Sequence, residues 1–231
     1  MDLTVIIGMI GGLISIATGD LMEGGNPAHV IHITSLIIVI PTAMFSAATA
    51  TESHALSAAF KELKMVFKKS PINFEERIDQ IVDYAIMVKK NGVLALEKDV
   101  QLIEDAFLKE ALGMVVDGSK EEQIEKFLEP IIEETEHYYH GASHYWLLAG
   151  ETCPVMGLIG AVLGLILALQ KLDNPAEMAA GIAGAFTATV TGIAGAYMFL
   201  GPWGNKMKGK AHLLIKEKQL TVRLSLLKFL Y

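Results

Sequence analysis

Apolar and polar residues in this chain fall into long separate blocks. Four stretches, residues 3–19, 24–51, 152–170 and 179–205, are nearly free of charged side chains. A membrane-spanning helix needs about 20 mostly apolar residues, within a range of about 17–25. Each stretch reaches that length, the first only just. A buried soluble helix can mimic one such run, but four in one short chain point to lipid. The predicted fold class is all-α: an integral membrane protein with four transmembrane helices and a helical cytoplasmic domain between the second and third.

The polar middle of the chain carries helical periodicity. Leu56, Phe60, Leu63 and Phe67 form an apolar stripe with lysines opposite. Ser70-Pro71 breaks it. A second helix is expected from Asn73, with Glu76 placed as in a capping box. Its buried face is predicted as Phe74, Ile78, Ile81, Val82, Ala85 and Val88, and Asn91-Gly92 ends or bends it. A third helix is expected from about Val93 to Val116, where Asp117-Gly118 is a stop. Ser119 with Glu122 caps a fourth, which runs into the third span, with Pro130 expected to kink it. No repeat, low-complexity tract or strand-length alternation interrupts this pattern.

Composition and charge add direction. The chain is 52% hydrophobic, with a mean hydropathy of +0.41, too apolar for an ordinary soluble domain. Of its 19 Lys and Arg residues, 18 lie within residues 51–148 or after Asn205. The short loops at residues 20–29 and 171–178 are acidic on balance. By the positive-inside rule, the segments after the second and fourth spans face the cytoplasm, and with four spans both termini lie inside. The organisation predicted is residues 1–51 for the first two spans, 52–146 for the cytoplasmic domain, 147–205 for the last two spans, and 206–231 for a cytoplasmic C-terminal helix. The net charge of −7 gives no support for nucleic-acid binding. Met1-Asp2-Leu3 has no positive n-region, so no cleaved signal is expected. The single Cys153 allows no internal disulfide, which fits a reducing compartment.

The spans carry no ionisable residue near their middles, and Glu151 stands only at the start of the third. Charged groups within a membrane usually mark ion or proton pathways, so any proton carrier must come from a partner. The last two spans instead offer small residues: Gly157, Gly160 and Gly164, then Gly184, Ala188, Gly192 and Ala196 at four-residue intervals. Such spacing lets membrane helices pack closely, either within the chain or against further chains. Thr187, Thr189 and Thr191 add hydroxyls, which commonly bond back to their own helix.

Other motifs fall away. His137, His140 and His144 share one helix face, and Glu134 to His137 has the Glu-x-x-His spacing of di-iron bundles, but that architecture needs a second such motif. With Tyr138, Tyr139, Tyr145 and Trp146 they suggest an aromatic–imidazole belt at the membrane surface. Gly8-Met9-Ile10-Gly11-Gly12 follows no strand and is not a phosphate loop. No Ser/His/Asp or Cys/His arrangement has plausible context, so no enzyme, cofactor or metal is expected.

The third span, Gly150-Glu151-Thr152-Cys153-Pro154-Val155-Met156-Gly157-Leu158-Ile159-Gly160-Ala161-Val162-Leu163-Gly164-Leu165, resembles stator proteins of the MotA family. The fourth span agrees, in Met178-Ala179-Ala180-Gly181-Ile182, Thr189-Val190-Thr191-Gly192 and Gly201-Pro202-Trp203-Gly204-Asn205-Lys206. So do Lys89-Lys90-Asn91-Gly92-Val93-Leu94-Ala95-Leu96-Glu97, the opening Met1-Asp2-Leu3, and the Gly25-Asn26-Pro27 turn. TolQ and ExbB share a version of the third-span motif, while four spans rather than three favour MotA. The resemblance implies a flagellar stator in the bacterial inner membrane. Five such chains would surround two MotB-like, single-span, peptidoglycan-binding chains that bring the ion-carrying aspartate. The cytoplasmic domain would push the rotor switch protein FliG. Pro154 and Pro202 fall on the family's functional prolines, and Lys89 and Glu97 on its rotor-facing charges. Lys89 replaces the usual arginine, keeping the charge without the guanidinium fork. Ala161 stands where sodium-driven members tend to have threonine, leaving Thr189 as the aligned hydroxyl, and this implies proton coupling. Family members continue through a further helical tail. The abrupt run from Thr221-Val222 to Arg223-Leu224-Ser225 is expected to mark missing residues.

Overall fold

The computed structural model describes residues 2–25, 32–68 and 74–226, with side chains as far as residue 223. Described residues outside loops are helical, and none forms a strand. The predicted Asn73 cap, the Ser70-Pro71 break and the turn at Asn26-Pro27 lie outside the described residues. The chain divides into two compact units, Met1–Lys69 with Tyr139–Lys208, and Ser70–Tyr138 with Gly209–Tyr231.

The first unit holds the apolar helices. These are α1 (Leu3–Met22), α2 (Ile33–Thr49), the short α3 (Ser53–Lys61) and α4 (Leu63–Phe67), part of α8 (Glu121–Leu169), and α9 (Pro175–Ala194). From α9 the chain runs without a loop through a π-helical segment, Gly195–Leu200, into α10 (Gly201–Leu226). Three helical rods, α1, α8 and α9 continued by α10, are long and apolar enough to cross a membrane; α2, at 17 residues, is shorter. Asn174 caps α9: its Oδ1 accepts the Glu177 N–H while its Nδ2 donates to Glu177 Oε1 at 2.8 Å. Pro175 follows at the first helical position, where its missing N–H costs nothing.

Two expectations in this unit are corrected. The stripe from Leu56 to Phe67 is not one helix. The Ala59 carbonyl accepts the Trp146 indole N–H at 3.1 Å, and the chain then tightens to a Met65-to-Glu62 bond of 2.8 Å between α3 and α4. The buried positions become Ala55, Ala58, Ala59 and Val66, because only small residues fit against α8, where a Cβ on Gly141 would lie 2.9 Å from that of Ala55. Tyr145 and Trp146 also do not join a surface belt: each is 1% exposed. Trp146 stacks edge-on with Phe60 and Trp203, at centroid distances of 5.3 and 5.4 Å. His140 and His144 do pair, their rings stacked at 6.1 Å.

The second unit contains α5 (Phe74–Asn91), a 3-10 turn at Val93–Leu96, α6 (Glu97–Leu102) and α7 (Ala106–Val116). Gly92 and Gly118, at φ of +81° and +76°, make the two turns read from Asn91-Gly92 and Asp117-Gly118, in a region that disfavours any residue with a Cβ. The expected Val93–Val116 helix is broken at residues 103–105. Asp105 caps α7 instead, its carboxylate accepting the Phe107 and Leu108 N–H groups at 3.0 and 3.2 Å. At the start of α8, the bond formed is from the Lys120 N–H to Gln123 Oε1 at 3.0 Å, one residue later than the predicted Ser119–Glu122 box.

The buried face of α5 is also rotated from the prediction. Ile81 is buried and Tyr84, Met87 and Val88 pack against Leu96, Val100, Leu108 and Leu112, whereas Ile78, Val82 and Ala85 are exposed. Arg77 turns the helix. Its Nε donates to Glu217 Oε1 at 2.6 Å, its Nη1 to Gln80 at 3.2 Å, and its Nη2 to Asp105. The Arg77 and Glu217 side chains are only 15% and 10% exposed. A charge removed from water to this extent must be paired, so Arg77 sets which side of α5 faces inward. Beside this network Lys218 lies over the Phe107 ring at 4.1 Å; burial lowers its pKa, with Asp105 and Glu217 pulling it back up.

Candidate functional site

The small residues of the third and fourth apolar stretches meet each other within the chain, as an antiparallel seam between α8 and the α9–α10 rod. A Cβ placed on Gly157 would lie 2.9 Å from the Ala188 carbonyl oxygen and 3.1 Å from Gly192 Cα. On Gly164 it would lie 3.0 Å from Ala185, and on Gly181 3.0 Å from Ala168. The contacting residues of α9 are thus Gly181, Ala185, Ala188 and Gly192, which follow the true helical period. The four-residue stripe read from the sequence drifts off this face: Gly184 meets nothing closer than His32, at 3.9 Å.

Both prolines lie beside close contacts of this seam. Pro154 removes the donor that the Gly150 carbonyl would accept within α8. A Cβ on Gly192 would lie 3.2 Å from Pro154 Cα and 2.9 Å from the Cys153 oxygen, so backbone touches backbone at the proline. One turn on, a Cβ on Gly150 would lie 2.9 Å from the nitrogen of Gly201, the residue before Pro202. The structure therefore brings the helix turns at Pro154 and Pro202 together. Pro202 itself is exposed, beside a groove it shares with Thr4, Tyr197 and Lys206. Lys206 pairs with Asp2 at 2.9 Å.

Between the two prolines lies the π-helical segment, which sequence reasoning missed. The pairing register holds from Ala168–Gly181 to Gly157–Gly192 and is offset beyond the segment, at Gly150–Gly201 and Leu147–Gly204. A wide turn absorbs this offset, and such turns are concentrated at functional sites. The available signal was the crowding of Gly195, Gly201 and Pro202 into an otherwise regular helix.

Ala161 and Thr189 are half-buried, each one residue beyond the contacting pair Gly160 and Ala188, whose Cβ positions would be 2.9 Å apart. In an antiparallel pair, one step past the contact carries both residues to the same edge of the seam. The threonine hydroxyls bond to their own helix: Thr187 to Gly184 O at 2.9 Å, Thr189 to Ala185 O at 3.4 Å and Thr191 to Thr187 O at 2.7 Å. Thr187 also approaches Ser35 Oγ of α2 at 3.3 Å. At 3.4 Å the Thr189 bond is the longest of the three, so its hydroxyl is the least committed.

In the second unit, Lys89 stands in the last turn of α5 and Glu97 at the first position of α6. Both are exposed and flank the Gly92 turn.

The arrangement is a close-packed helix seam whose contacts involve no charged side chain, with one hydroxyl-bearing edge, and it has relatives. Residues 99–219 match the model of the MotA/TolQ/ExbB proton channel family. Motility protein A of Helicobacter pylori is 54% identical over 218 residues, 94% of this chain and 85% of that protein. The chain belongs to the MotA/TolQ/ExbB proton channel family. Within that family, its structure is similar to that of C. jejuni MotAB, with a TM-score of 0.96 and 51% identity over 99% of this chain and 89% of that one. The Bacillus subtilis MotAB stator complex matches at a TM-score of 0.87 and 29% identity, over 97% of this chain and 89% of that one.

Proposed function

We propose that this chain is the channel-forming subunit of a flagellar motor stator, which works with a MotB-like partner to turn proton flow into torque. The observation that carries the reading is similarity along almost the whole chain to MotAB structures, with the small-residue seam intact. The chain offers no carboxylate near the middle of its apolar stretches, and a single-span partner supplies the proton-binding aspartate. Four spans, from α1, α2, α8 and α9, cross the bacterial inner membrane and contact its lipid. Both termini and the α5–α7 region lie in the cytoplasm, as the distribution of Lys and Arg supports. Five copies surround two partner chains.

In this reading the edge carrying Ala161 and Thr189 lines the proton path. Pro154 and Pro202 act on the helix turns that move as the partner aspartate gains and loses its proton. Lys89 and Glu97 meet charges on FliG. A proton needs only an acceptor carboxylate and a hydroxyl or water route, whereas a dehydrated sodium ion needs several oxygens. Ala161 supplies none, which favours protons. The chain's work is gating and force transmission rather than enzymatic chemistry. Deleting the gene in its host should leave flagella assembled but paralysed, with swimming restored by a plasmid copy. A deletion strain that swims normally would overturn the proposal.

A further inference from the structure

Asp2 stands at the N-cap position of α1, where an aspartate ordinarily accepts the unbonded N–H groups of its own helix. Here its side chain makes no such bond. One carboxylate oxygen accepts the Thr4 hydroxyl at 2.6 Å, and the other pairs with Lys206 Nζ at 2.9 Å. Lys206 also donates to Thr4 Oγ1 at 3.2 Å. We propose that Asp2 is a positioning residue for torque generation: through Lys206 it holds α10 one turn beyond Pro202 and gives the bend at Pro202 a fixed pivot. The inference rests on the stator reading, in which that turn moves with each proton.

The cap and the grip on α10 each point to this role. A cap bond to α1 would be favourable and lies within reach of its residue type, so its absence shows that the carboxylate is placed for Lys206 rather than for its own helix. The Asp2 side chain is only 14% exposed, and a charge so far withdrawn from water must be paired. Asp2 also ties α10 by a second route. Its backbone N–H donates to the Phe67 carbonyl of α4 at 2.7 Å, and the Phe67 ring meets Trp203 edge-on at 6.0 Å. Asp2 and α4 thus grip α10 at Trp203 and Lys206, directly after Pro202. Pro202 and Lys206, four residues apart, share one helix face, and both border the groove that contains Thr4. Pro202 has no N–H to donate within the rod, so the turn before it yields more readily than a fully bonded one. With the far side tied, movement of α9 becomes a defined bend rather than a loose swing.

The test is single-motor bead rotation in the deletion strain carrying plasmid copies, where speed rises in steps as stator units join one at a time. Step height gives torque per unit, and step number gives the units assembled. Asp2→Asn keeps the side-chain shape without the charge, and Lys206→Met keeps the alkyl stem. Each should lower the step height roughly twofold, as displaced hinge residues do, with wild-type co-purification with the partner. Lys206→Arg, which keeps the charge, should restore most of the height. Full step height in both Asp2→Asn and Lys206→Met would overturn the proposal. Fewer steps of full height, or loss of the complex in both variants, would overturn it too, since the pair would then serve only to hold the fold together. Steps as low in Lys206→Arg as in Lys206→Met would remove the ion pair from the account. A deletion strain that swims without any plasmid sinks the stator reading, whereas full steps in a strain that is paralysed without the plasmid sink only the pivot.

Discussion

The α8–α9 seam and the α5–α7 region solve the same packing problem with opposite materials. In the seam, glycine and alanine let main chains touch, and no ion pair contributes. In the second unit, large residues such as Phe107, Leu112, Leu128 and Ile132 fill two cores, and Arg77 ties α5 to Asp105 and Glu217. The difference follows from the surroundings. Lipid gives no hydrophobic gain for hiding a large side chain, so close approach is what stabilises paired spans. In water, burial of apolar area drives folding, at about 25 cal/mol per Å2. The seam should therefore be sensitive to added atoms, and the second unit to lost ones.

The sharpest way to break this comparison is to add bulk to the seam. Gly192→Leu must push a side chain into the Cys153 carbonyl and Pro154, and should abolish both assembly and swimming. Gly184→Ala, eight residues earlier in the same apparent stripe, should be tolerated, since only His32 lies within 4 Å. Co-purification with the partner measures both; equal damage from the two would refute the assigned face. Pro154→Leu should come next. If the bend moves with each proton, rotation is lost while the complex still forms. A static kink predicts poor assembly instead, so a motility assay beside co-purification separates the two.

Loss is the test in the second unit. Arg77→Met leaves the half-buried Asp105 and buried Glu217 without their partner, and should cost about 3 kcal/mol. Hydrogen exchange in the intact complex should show reduced protection in α5 and α7 with the seam unchanged. Unaltered exchange there would show the network to be dispensable. The smallest effect is expected at Lys89. Lys89→Glu should weaken torque without affecting assembly, because exposed charge pairs are modest and screened by salt. A compensating charge on the rotor should recover part of it. Unchanged swimming in a Lys89→Glu, Glu97→Lys double variant would remove both residues from the rotor face.

The same contrast explains what could be read from the sequence. Long apolar stretches, the turns at Gly92 and Gly118, and the run of α8 through Pro130 into the third apolar stretch depend on local patterns, and they were legible. Which α5 residues face inward was not, because Arg77 is held by Asp105 and Glu217, far away in sequence. The helix expected from Val93 to Val116 ran past Asp105, which breaks it by capping α7. Tyr145 and Trp146 resembled membrane-surface aromatics because composition cannot show that Ala59 and Met44 offer carbonyls to them. In the seam, Gly157, Gly160 and Gly164 announced close packing. The π-helical segment did not announce itself, since its cause is a register offset between two helices rather than a local preference.

Proton-driven torque is tested most directly by tethered-cell rotation in the deletion strain carrying the plasmid copy. Rotation should continue in sodium-free medium and stop when a protonophore is added. Rotation that ceases on sodium withdrawal and persists with the protonophore would contradict the account.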